Sequence, residues 1–216
     1  MRPPESWSRA RVTLGITLLT ALVWIGLAAL DKIGWAAGWG GFIPARLAPG
    51  VEGAGLVPVW LTPLSATLIH ANWIHLGFNL LILVFCGRPT EAVVGPVGLG
   101  ILYLFGAYAA AAAQYGMDPG SAVPMIGASG AISAVLGAYS ILFGRNKVKV
   151  ASPRLALWLN ALWLMAAWIG LQLIVGITFA NLAGGGLQVA IAAHIGGFGV
   201  GLLLANPLLL LRYRRA

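Results

Sequence analysis

The residues that could do chemistry are few. Ser129 stands between Gly127-Ala128 and Gly130 at the head of a long apolar run. The chain has 3 histidines, and all of them begin two other apolar runs. His70 and His75 lie in HANWIHLGFN, and His194 lies in AHIGGFGVG. A serine hydroxyl becomes a nucleophile when a base takes its proton, and neutral imidazole is the usual base. Acyl transfer also requires donors aimed at the developing oxyanion. His75 and Asn79 are four positions apart and project from one helix face. Both can donate. The backbone N–H of Ser129 can add a third donor, because the first N–H groups of a helix lack internal partners.

Two rival chemistries use the same residues less well. Metal-binding histidines on one helix sit at i,i+4, as in H-E-x-x-H. His70 and His75 are five apart, and no carboxylate is near to orient either. No metal is expected. A proton relay or transporter carries acidic residues inside its spans, and none of the 5 acidic residues falls inside an expected span. No cofactor is expected either.

The elements that position these residues follow from composition. The chain has 216 residues, 60% hydrophobic and 8% charged, with a mean hydropathy of +0.91. A soluble domain carries about 25% charged residues, so this is an integral membrane protein whose surroundings are the lipid bilayer. The single cysteine, Cys86, excludes an internal disulfide framework. The net charge of +8 is topological. No basic face forms outside the membrane-flanking segments, so nucleic acid is not an expected partner.

A span needs about 20 mostly apolar residues. Six such stretches are predicted, at 12–30, 68–86, 93–113, 126–143, 155–180 and 187–211. An outer connection, 31–67, is rich in glycine and proline and carries Trp35, Trp39 and Trp60, which suit the headgroup layer. A turn with Arg88, Pro89 and Glu91 divides the second span from the third. Residues 1–11 and 212–216 are short flanks. With this division, Arg2, Arg9, Arg11, Arg88, Arg145, Lys147, Lys149, Arg154, Arg212, Arg214 and Arg215 fall on one side, and Lys32 and Arg46 on the other. The positive-inside rule then places both termini in the cytoplasm. Spans two, four and six begin on the outer side. His194, about seven residues into span six, is expected roughly 10 Å deep, and every histidine shares the outer half of the membrane with Ser129.

Glycine spacing supplies the close approach. Gly197 and Gly201 lie along the face of His194, and small residues on a helix face let backbones meet. Ser129, Ser133, Gly137 and Ser140 form a matching stripe at helical period. Gly127 and Gly130 permit a tight turn around the serine. With no acid in the spans, the pair is a Ser–His dyad rather than a triad.

G-x-S-G preceded by H-x4-H-x3-N and followed by A-H-x-G-G resembles the rhomboid family of intramembrane serine proteases, over about 12–211. The resemblance implies an all-α membrane protein, a bundle of six transmembrane helices with both termini cytoplasmic, whose protease domain spans 12–211. It implies Ser129 and His194 as the catalytic dyad, and His75 and Asn79 as oxyanion donors. It implies His70 as a residue steadying the outer connection. Its substrates would be single-span or other membrane proteins, reaching the site laterally between spans two and five. A substrate strand would pair with the backbone of 121–126. With no large soluble domain and no extra span, the chain is similar to the minimal bacterial form, in the cytoplasmic (inner) membrane, with its site opening outward. Two positions depart from the family pattern. Ser133 stands where many members have an aromatic residue beneath the histidine, so support for the His194 ring must come from elsewhere. Leu61, not an arginine, follows Trp60 in the outer connection. A non-proteolytic rhomboid-like protein that binds membrane clients is the alternative; such relatives generally lack the serine or the histidine.

Overall fold

The computed structural model describes residues 10–48, 57–144, 152–183 and 190–214. Arg2, Arg9, Arg145, Lys147, Lys149 and Arg215 lie outside the described residues. The helices are α1 (Arg11–Ala29), α2 (Ile33–Gly40), α3 (Thr62–Ser65), α4 (Trp73–Ile82), α5 (Arg88–Met117), α6 (Ser129–Phe143), α7 (Pro153–Ala183) and α8 (Ile191–Tyr213). No named strand occurs among the described residues; an isolated antiparallel bridge joins Phe42 to Met125.

Four helical stretches are long and apolar enough to cross a membrane: Arg11–Ala29, Trp73–Met117, Pro153–Ile174 and Ile191–Tyr213. The second is 45 residues long and contains two arms. The first arm runs through α4, a π-helical turn at Leu83–Gly87 and the start of α5. The chain then breaks at Gly95, with φ +83°, ahead of Pro96. His75 on the first arm and Ala110 on the second both lie against the 127–130 segment, so the chain doubles back. With the shorter apolar helix α6, this gives six rods in one helical membrane bundle.

The turn expected at Arg88–Glu91 is therefore misplaced. Pro89 follows directly on the π-helical turn, at the start of α5, and the helical arm runs on through it. Gly95 adopts a left-handed conformation that glycine tolerates, and Pro96 disfavours helix at the residue before it. Glu91 is consequently helical and buried. Its carboxylate accepts from Val12 N–H at 2.9 Å, Thr13 N–H at 2.8 Å and Thr13 Oγ1 at 2.7 Å. The first residues of α1 have no side-chain cap of their own. Glu91 satisfies those N–H groups and places negative charge at the positive end of the helix dipole. Arg212, near the end of α8, reaches the Glu91 carbonyl at 3.4 Å.

At the other end of α1, Trp24 Nε1–H donates to the His70 carbonyl at 3.0 Å. Twelve residues separate Val12 from Trp24, roughly 18 Å of helix. Glu91, the one buried acid among the described residues, is thus far from the histidines. The outer connection is held by backbone carbonyls. Ser65 Oγ donates to Gly40 at 2.6 Å, an Arg46 guanidinium nitrogen to Val57 at 2.8 Å, and Tyr108 to Trp60 at 2.9 Å.

The core sits where α5, α6 and α8 meet. In α6, 12 of the 15 residues are buried, so this helix is central. At 1.5 Å per residue it is roughly 22 Å long, short of the ~30 Å hydrocarbon thickness. Its first residue, Ser129, can therefore lie inside the membrane slab. Gly137 and Gly201 are placed where an added Cβ would strike the Phe198 and Ala134 carbonyl oxygens. Backbone meets backbone across the α6–α8 interface, which only glycine allows.

Candidate active site

Ser129 is the first residue of α6. His194 lies in the first turn of α8, its N–H donating to the Ala190 carbonyl at 3.2 Å. The described part of α8 begins at Ile191, which puts His194 in its first turn; the expected start of the span at 187 lies outside the described residues. Ser129 Oγ is 2.8 Å from His194 Nε2. Both side chains are buried, at 8% and 3% exposure. The approach depends on Gly197, where a Cβ would collide with the Gly130 carbonyl oxygen, and on Gly130, where it would collide with Ala110 Cβ.

The segment before Ser129 is held from two sides. His70, fully buried, accepts the Ala128 N–H through Nε2 at 3.3 Å. That nitrogen therefore carries no proton, and the ring is neutral with its proton on Nδ1. The Gly127 N–H donates to the Ala66 carbonyl at 2.9 Å. His70 thus acts on the start of α6 itself, one residue from Ser129, as well as on Trp24.

Gly127 has φ +109°, and an added Cβ would lie 2.8 Å from His75 Nε2. The glycine is required twice, by its backbone and by the imidazole over it. His75 is half-buried, and its ring meets His70 edge-on with centroids 5.0 Å apart. Asn72 caps α4 by accepting the His75 N–H at 2.8 Å. Asn79 is fully buried, and its amide donates one N–H to the His75 carbonyl at 2.8 Å. One of its two donors is spent on its own helix, which leaves one.

Residues 121–126 are partly occupied. Phe42 and Met125 exchange both backbone hydrogen bonds, at 3.0 and 2.8 Å, and Ala45 N–H donates to the Ser121 carbonyl at 3.0 Å. The edge that carries Met125 is closed by the chain's own connection. Pro124 and Ile126 direct their backbone groups the other way, since successive residues of an extended strand alternate.

No site residue in α7 was expected from the sequence. The structure brings Trp168 there. It is 3% exposed, donates its indole N–H to Ser133 Oγ at 2.8 Å, and meets the His194 ring edge-on with centroids 6.1 Å apart. One signal was available. Gln172 lies one turn on from Trp168 and is also buried, whereas Trp158 and Trp163 are exposed. A polar residue four positions from a tryptophan marks the inward face.

A helical membrane bundle with a glycine-packed serine and histidine at its centre is the class these features define. The Rhomboid domain family model matches residues 58–211. The chain belongs to the rhomboid family. It is 40% identical over 75 residues to rhomboid-like protein 11, chloroplastic, of Arabidopsis thaliana, covering 35% of this chain and 26% of that relative. It is 36% identical over 76 residues to rhomboid-related protein 2 of Mus musculus, covering 35% of this chain and 24% of that relative. The matched stretch spans about a quarter of the length of each relative.

Proposed function

We propose that this chain is an intramembrane serine endopeptidase that cuts membrane-protein segments through an acyl-enzyme. The observation that carries the reading is the 2.8 Å separation of Ser129 Oγ and His194 Nε2 inside the bundle. Both residues stand in the motifs G-x-S-G and A-H-x-G-G. With its proton on Nδ1, the His194 ring accepts the hydroxyl proton at Nε2 as Ser129 Oγ attacks the scissile carbonyl. His75, the remaining Asn79 N–H and the Ser129 backbone N–H stabilise the oxyanion. His194 then gives the proton to the leaving amine. Water attacks the ester by the same base, and the serine is restored.

An arriving strand pairs on the free edge of the loop, with the Ile126 N–H and carbonyl and the Pro124 carbonyl. The Met125 edge is taken by Phe42. Substrates are single-span or other membrane proteins whose helices arrive between α4 and α7. Both termini face the cytoplasm of a bacterial cell, and the site opens to the outer side.

Fluorophosphonate labelling tests the reading against that of a non-proteolytic client-binding protein. The probe phosphonylates a serine only where a base activates it. Label recovered on the peptide containing Ser129, and lost in His194→Ala, is the expected result. A folded protein with no label at Ser129 sinks the proposal.

A further inference from the structure

A base must be aimed as well as near. In a catalytic triad a carboxylate on the far ring nitrogen holds the imidazole in place. Here His194 Nδ1 is buried with no hydrogen-bond partner among the described residues. Apart from the contact with Ser129 Oγ itself, nothing polar among the described residues fixes the rotation of the ring about its side-chain bonds. Packing must do so.

The aromatic contact to His194 is Trp168, edge-on at a 6.1 Å centroid distance and 67° between planes. That lies within the favoured range for edge-to-face pairs. The indole is itself fixed. Its N–H donates to Ser133 Oγ at 2.8 Å, and the Ser133 hydroxyl donates to the Ser129 carbonyl at 2.7 Å. Ser133 accepts one bond and donates one, a pairing that a hydroxyl can complete and that alanine cannot. Ser133 and Trp168 are 0% and 3% exposed. The contacts close a ring: Ser129 to Ser133, Ser133 to Trp168, Trp168 to His194, and His194 back to Ser129 Oγ.

We propose that Trp168, held by Ser133, is the positioning residue of His194, taking the place of the orienting group on its far nitrogen. This rests on the reading of Ser129 and His194 as the catalytic pair. It has a consequence for α7. Among that helix's described side chains only Ala156, Ala161, Trp168 and Gln172 are buried. The indole is therefore both the largest anchor of α7 and the support of the base. Any displacement of α7 from the bundle withdraws that support, which couples the dyad's alignment to the seating of this helix.

The test uses the full chain in liposomes with a single-span substrate, measuring kcat and KM at temperatures well below each variant's melt. Misplacing a reacting group by about 1 Å costs about 10²-fold. Trp168→Leu is expected to lower kcat by about that factor with KM unchanged. Trp168→Phe keeps a ring edge and loses one hydrogen bond, so it is expected to recover kcat to within about tenfold of wild type. Ser133→Ala leaves the indole's volume in place and removes its acceptor. It is expected to lower kcat several-fold without changing KM, and it answers the case in which Trp168→Leu does not fold. Wild-type kcat in folded Trp168→Leu or in Ser133→Ala overturns the proposal, as does a Phe variant no better than Leu. Failure of the wild type to cleave or to label at Ser129 would instead remove the reading beneath it.

Discussion

Replacing Gly197 by alanine tests whether glycine packing sets the dyad's geometry. An added Cβ there falls on the Gly130 carbonyl oxygen, with Ser133 Cβ, on the same helix α6, 3.2 Å away. The obstacle is backbone, so no side chain can rotate aside. A carbon rests roughly 3.3–3.6 Å from a carbonyl oxygen, and restoring such a separation means parting α6 and α8 by about 1 Å or more. Ser129 Oγ and His194 Nε2 are 2.8 Å apart, and a hydrogen bond of this kind weakens beyond about 3.2 Å. The slack of about 0.4 Å is smaller than the required shift, so the pair separates. At about 10²-fold per ångström of misplacement, kcat/KM should fall by 10²-fold or more, about 2.7 kcal/mol in the barrier. The control lies two residues away. Gly199 has nothing within 4 Å of its Cβ position, so Gly199→Ala should keep full activity and gain up to about 1 kcal/mol of helix propensity. Both variants would be assayed for cleavage of a single-span substrate in liposomes and for thermal unfolding. Wild-type kcat/KM in Gly197→Ala, or equal losses in the two variants, would refute the reasoning.

Four further substitutions separate site from scaffold. Glu91→Ala strips the cap from α1 and should cost about 3 kcal/mol in unfolding experiments, while the rate of fluorophosphonate labelling at Ser129 below the melt stays unchanged. Gly127→Ala forces an L-residue to φ +109° against the His75 ring. It should cost about 1–3 kcal/mol and lower the labelling rate, because His75 and the turn before Ser129 must both move. Asn79→Ala and His75→Ala should each lower kcat by about 10²–10³-fold if their N–H groups meet the oxyanion, with labelled Ser129 still formed slowly; a loss under threefold in Asn79→Ala would mean that its amide serves only the His75 carbonyl.

The sequence carried the site's outline because glycine positions are legible as close approaches. Gly197, Gly201 and Gly137 sit at helical spacing from His194 and Ser129, and spacing alone implies that two faces can meet. What it could not carry were the places where two local rules compete. Pro89 reads as a breaker although the helical arm runs on through it, and the true break needed Gly95 and Pro96 read together. Glu91 reads as a loop charge until α1 brings its N-terminus over it. The Met125 edge looked open because its partner, Phe42, is more than eighty residues earlier. Ser133 read as a missing aromatic ring. Its hydroxyl instead holds Trp168, a residue whose inward orientation among three tryptophans in α7 is decided by packing rather than by type.

Ser129, activated by His194, is proposed to cut a substrate helix. The most direct measurement reconstitutes wild type, Ser129→Ala and His194→Ala in liposomes with one single-span protein and follows its two fragments by mass spectrometry. Fragments are expected from the wild type, with a loss on the order of 10⁶-fold in either variant. Fragments released by Ser129→Ala at the wild-type rate would contradict the proposal.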